Sequence, residues 1–176
     1  MFYKIVVFIG ALILFSCSQE KQDSFDYIQY EPFDLSTYDL PASIMLPDAS
    51  AGIGTSLKPK VIYEIGDFKW RIDVGRNFAM FIEDYGDNAL RFAEFKRKLF
   101  KPNKYFDIQV VDQSKNIIIY KRVVKGEYVE QPNEKYHIYS VCKIADNYYE
   151  IMNREQGDSK RVVDFMFHSI QSIQSK

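Results

Sequence analysis

Residues 68–74 read Phe-Lys-Trp-Arg-Ile-Asp-Val, with an apolar side chain at every second place and a charged one between. A period of two is what a strand needs when one face meets a core and the other meets water. The pattern sends Phe68, Trp70, Ile72 and Val74 inward and Lys69, Arg71 and Asp73 outward. A sheet with one solvated face is characteristically antiparallel, because parallel crossovers cover both faces.

The neighbouring segments extend this sheet. Residues 43–46 form a short strand stopped by Pro47, and the Gly-, Ser- and Asp-containing stretch 48–59 is a loop. Residues 61–65 and 78–83 are further strands, the first closed by a turn at Gly66-Asp67. Asp87 is placed to N-cap a helix running to about Phe100, with Phe92, Phe95 and Leu99 on one face and Pro102-Asn103 as the stop. Four strands follow at 105–111, 117–124, 136–145 and 148–153, with turns at residues 114–116, at Gly126 with Pro132, and at Asp146-Asn147. Residues 117–120, Ile-Ile-Ile-Tyr, are apolar on both faces, as a central strand covered on each side must be. A last helix starts near Ser159 and carries Val163, Met166, Ile170 and Ile173 as its buried stripe.

The expected fold class is therefore α+β, an antiparallel sheet of six or seven strands packed by two helices. A hydrophobic share of 47% and an aromatic share of 16% supply enough side chains for a sheet with two apolar faces. The element order and the closing amphipathic helix resemble the PsbP-like fold over roughly residues 42–173. Members of that superfamily include a photosystem accessory protein, a Ran-binding nuclear import factor and small bacterial lipoproteins. The resemblance implies a binding or accessory role, and no functional residue carries over from it.

The start of the chain is of a different kind. Lys4 precedes residues 5–15, a run without a polar side chain. A membrane-spanning helix needs about 20 apolar residues, so this run has the length of a signal-peptide core instead. It ends in Leu14-Phe15-Ser16-Cys17, which resembles the lipobox of bacterial lipoproteins, with Phe15 bulkier than the usual middle residue. The resemblance implies a signal peptide over 1–16, cleavage after Ser16, diacylglycerol on the Cys17 sulfur and acylation (palmitate) of the new amino terminus. Residues 17–41 are then the lipidated N-terminus and a tether, whose second half, with its Phe and Tyr side chains, is either a plain spacer or lies against the domain, and 42–176 are a single domain. Ser18 stands where an Asp favours inner-membrane retention in enterobacterial-type sorting, so the outer membrane of the cell envelope is expected. The polar run 18–23 is similar to a surface-export signal, which leaves the periplasmic and surface faces both open.

Chemistry is sparse downstream. The 23 basic and 24 acidic residues nearly cancel, which offers no general attraction for nucleic acid. His137 and His168 lie far apart, with no metal-binding or redox spacing around them or Cys142, and read as surface or interface histidines. Cys142 alternates with Tyr136, Ile138 and Ile144 and reads as a core thiol. Gly52-Ile53-Gly54-Thr55-Ser56 lacks the lysine of a phosphate loop. Glu83, Asp84 and Asp87 cluster around Gly86 and offer paired carboxylates, either as the acids of a small hydrolase or as helix-start residues. Arg91, Lys96, Arg97, Lys98, Lys101 and Lys104 gather on the first helix and just beyond, facing an anionic partner or simply solvent. No catalytic residue, metal ligand or cofactor is assigned, and Cys17 alone receives a specific role. Three functions follow: a non-enzymatic binding or accessory module for an envelope partner, a lipid or small-ligand carrier, and a small envelope hydrolase using Glu83, Asp84 and Asp87.

Overall fold

The computed structural model describes residues 28–54, 58–126 and 134–176. The leader, Cys17, Thr55-Ser56 and Pro132 lie outside the described residues. In chain order the elements are β1 (Tyr30–Asp34), β2 (Ala42–Pro47), β3 (Lys60–Glu64), β4 (Lys69–Val74), β5 (Phe78–Asp84), α1 (Arg91–Leu99), β6 (Phe106–Gln113), β7 (Ile117–Val124), β8 (Tyr136–Ile144), β9 (Asn147–Met152), α2 (Lys160–Gln171) and β10 (Gln174–Ser175). The protein is α+β. A seven-stranded antiparallel sheet has the order β3-β4-β5-β9-β8-β7-β6, and β1-β2-β10 form a second, three-stranded sheet.

The large sheet is two meanders joined where β9 returns to lie beside β5. Its two faces have separate cores. On one, Trp70, Ile72, Met80, Ile82, Ile138 and Ile151 pack under Val163, Phe165, Met166 and Ile170 of α2 and Ile44 and Leu46 of β2. On the other, Ile118, Tyr120, Tyr139 and Val141 lie under Phe92, Phe95 and Leu99 of α1. All four residues of 117–120 are buried, and β7 lies between β6 and β8, as their two-sided apolarity requires. Ser159 does cap α2, its hydroxyl accepting from the Val162 amide.

Three expectations need correction. The packed domain starts before residue 42, because residues 30–41 lie against it, the docked alternative for the second half of the tether. β1 pairs with β2 along its whole length, Leu35 and Leu40 are fully buried, and the Trp70 indole donates to the Tyr38 carbonyl at 2.6 Å. The strand Tyr-Glu-Pro-Phe-Asp has no strong pattern because it is a sheet edge, where Pro32 costs no ladder bond. Phe68 does not face inward but is 58% exposed in a left-handed turn (φ 47°), and the strand begins at Lys69. Asp87 does not cap α1, which starts four residues later with Leu90 at its N-cap and no side-chain cap. Residues 87–90 are instead spent on tight turns, in which the Asn88 side chain accepts from the Leu90 amide at 3.1 Å.

The C-terminus ties the two sheets together. Ser172 Oγ accepts from the Met45 amide at 2.8 Å, β10 pairs with β2, and Lys176 meets Asp34 at 2.6 Å.

Candidate functional site

The α1 face of the large sheet is only partly covered, and geometry explains why. Nine residues of helix span about 13 Å, whereas seven strands spread over roughly 29 Å. Phe95 stacks on Tyr139 with ring centroids 3.4 Å apart, and Phe92 flanks the same ring at 6.1 Å. Beside this contact the sheet is left as a half-open groove of about 370 Å³. Phe81, Met152, Tyr139 and Tyr120 form its floor, and Phe95 forms one wall. The register aligns these side chains, since Phe81 pairs with Met152, Met152 with Tyr139, and Tyr120 with His137.

Charges ring this apolar floor. Lys69, Arg122 and Arg154 line the groove against one lining carboxylate, Glu155. Lys69 is bound to Glu83 at 2.6 Å, and Arg154 reaches Asp158 at 3.4 Å and the Arg76 carbonyl at 3.0 Å. Arg122 lies over the Phe106 ring at 5.5 Å and has no carboxylate partner among the described residues.

His137 is buried in the groove wall, 6% exposed, and is stacked on Tyr120 with centroids 5.0 Å apart. It has no hydrogen-bond partner among the described residues. Burial, and then the Arg122 guanidinium, push its imidazole down to about 4, so it is neutral at physiological pH. The expectation of a surface histidine fails because Tyr120 and the backbone around Gly157 close over the ring: a Cβ on Gly157 would sit 3.2 Å from His137 Cε1.

Behind the floor, Glu150 is buried and accepts from both the Arg91 guanidinium and the Tyr139 hydroxyl. Burial first, and Glu150 second, raise the Tyr139 phenol far above its usual range. These bonds lock the floor tyrosine to α1.

No protein-family model, curated protein or solved structure matches the chain.

The carboxylates singled out in the sequence are not brought together. Glu83 and Asp84 are successive strand residues and point to opposite faces. Glu83 pairs with Lys69, Asp84 accepts from the Gly86 amide (2.7 Å) and the Asn147 side chain (3.0 Å), and Asp87 is exposed. The basic group also divides. Arg91 is used on Glu150, Lys96 lies over Phe92 and Lys104 over Tyr105, while Arg97, Lys98 and Lys101 stay in solvent. Among the described residues no group of three His, Cys, Asp or Glu side chains is arranged to hold a metal ion. His168 contacts Tyr30 edge-on, and Cys142 packs against the main core, where burial pushes its thiol up to about 12. Gly52 and Gly54 adopt positive φ around the buried Ile53.

Most groove residues were not singled out by sequence reasoning. Alternation within a single strand was the one signal available. It places Lys69 and Arg71 on one face but does not say which distant strand lies beside them.

Proposed function

We propose that the protein is a lipid-anchored component of the cell envelope that binds a partner in the α1-face groove and carries out no catalysis. The observation that carries the binding reading is the groove itself, a concave apolar floor left open beside α1 and lined by three cations. The anchor rests on the sequence 14–17 and the apolar run before it. Among the described residues no helix is long and apolar enough to cross a membrane. The outer membrane is the proposed location, on the strength of Ser18. The PsbP-like resemblance supports the same accessory role through element order alone.

A carrier of small ligands is the second reading, and the groove volume favours it. About 370 Å³ lies within the range of small-molecule sites, which begins near 300 Å³. The separation of Glu83, Asp84 and Asp87 weighs against the hydrolase reading.

Photo-crosslinking in intact envelopes tests the proposal. A benzoylphenylalanine replacing Phe81 should give a discrete adduct that the same group at Glu31, on the small sheet, does not. Identical adducts from both positions, or none from Phe81, would refute groove binding. For the anchor, Cys17→Ser should abolish lipid labelling and release the protein. Retention without label would make residues 5–15 the anchor.

A further inference from the structure

We infer that the groove selects an aromatic organic anion, its ring against Phe81, Phe95 and Tyr139 and its carboxylate or phosphate oxygens at Arg122 beside His137. The inference rests on the small-ligand reading of the groove and adds the chemistry of the occupant.

Three observations converge. The floor and wall are dominated by rings and a thioether, surfaces that favour a flat apolar body over a sugar or a peptide backbone. Arg122 is the lining cation without a carboxylate of its own among the described residues, so an incoming anion does not have to displace an ion pair there. The guanidinium presents paired donors that suit two anionic oxygens. His137 is a buried polar side chain that lines the groove without a hydrogen-bond partner among the described residues. Its ring nitrogens are not sealed from the groove, so an incoming ligand can take the place of solvent on them. As a neutral imidazole it offers one N–H, and it lies on the same strand face as Arg122, opposite Tyr120 in the register. Lys69 and Arg154 are neutralised by Glu83 and Asp158, which leaves Arg122 as the lining cation that can meet an anion directly.

Calorimetry on the full chain in neutral phosphatidylcholine nanodiscs, with empty nanodiscs as the blank, tests this. The probes share one ring body: 2-naphthoate, 2-naphthyl phosphate and the uncharged 2-naphthalenemethanol. At least one anion should bind tenfold or more tighter than the alcohol, and the two anions separate a carboxylate from a phosphate preference. Arg122→Gln, a change at an exposed side chain, should weaken both anions until neither binds tighter than the alcohol. His137→Phe, which keeps the stack on Tyr120, should narrow it. Equal binding of anion and alcohol, or a gap that survives Arg122→Gln, would overturn the anion assignment and leave groove binding standing. Failure of all three probes to bind would overturn this inference and count against the groove as a small-ligand site.

Discussion

Arg91 and Glu150 form the ion pair that seats α1 on the sheet, with the guanidinium also lying 4.0 Å over the Tyr85 ring. Glu150 is 3% exposed and stands directly opposite Glu83 across the β5–β9 pair. Two carboxylates at one register position repel each other, and each is met by its own cation, Glu83 by Lys69 and Glu150 by Arg91. The pair is stabilising only as a set, because a buried charge without its partner is far more costly than no charge at all.

Arg91→Ala should therefore destabilise the fold by about 3 kcal/mol, and Arg91→Met combined with Glu150→Met should recover much of that loss. Urea unfolding of the two variants measures it. A double variant no more stable than Arg91→Ala would show that packing at these positions, not the stranded carboxylate, sets the cost.

His137 should make stability fall in mild acid. The unfolded chain takes up its proton near 6.5 and the folded protein only near 4. Between those values the unfolded state holds more protons, so stability drops as pH falls through the window and levels off below it. Thermal midpoints at pH 7 and pH 5 should differ more for the native protein than for His137→Phe. Equal differences would place the acid sensitivity elsewhere.

Gly157 is expected to tolerate no side chain. Its φ is 77°, and a Cβ would lie 2.9 Å from Lys135 Cβ and 3.1 Å from the Tyr136 carbonyl. Gly157→Ala should cost about 2–3 kcal/mol, combining left-handed strain with overpacking. Because the same Cβ presses on His137, the variant should also weaken probe binding in the groove. Denaturation and calorimetry on one preparation check both effects.

Cys142 should be inert in the folded protein. With its thiol pushed up to about 12 by burial, little thiolate exists at neutral pH. Alkylation by iodoacetamide at pH 8 should be slow in buffer and rapid in urea, as read by mass spectrometry of the peptide containing Cys142. Rapid labelling in buffer would contradict the burial.

Core replacement gives a stability scale for the rest. Phe165→Ala removes a fully buried ring from α2 and should cost about 3–5 kcal/mol. Ser159→Ala, which removes only the cap of the same helix, should cost about 1 kcal/mol. A cap loss as large as the core loss in equilibrium unfolding would mean that α2 depends on its first turn more than on its buried face.

Much of the secondary structure was legible because it is written locally. The alternation at 69–74, the two-sided run at 117–120 and the Ser159 cap each describe a segment in terms of its own residues, and each forms as read. The errors fall where a local signal competes with a tertiary one. Phe68 continues the alternation in sequence, but the turn before β4 rotates it into solvent. Asp87 is a good cap by residue type, yet it is exposed and the chain is still turning beneath it. β1 lacks a pattern of its own and becomes a strand because β2 offers it an edge.

What the sequence determined by itself is the inventory: strands of period two, two amphipathic helices and an α+β composition of elements. What only the tertiary structure decided is adjacency. Placing β9 beside β5 set Glu150 against Glu83, gave Arg91 a carboxylate to hold, and lined up Phe81, Met152 and Tyr139 as one floor. Pairing between strands distant in the chain depends on register and on how two faces are packed at once, and neither is encoded in the periodicity of any single segment. The groove, with Arg122 and His137 at its wall, exists only at that level.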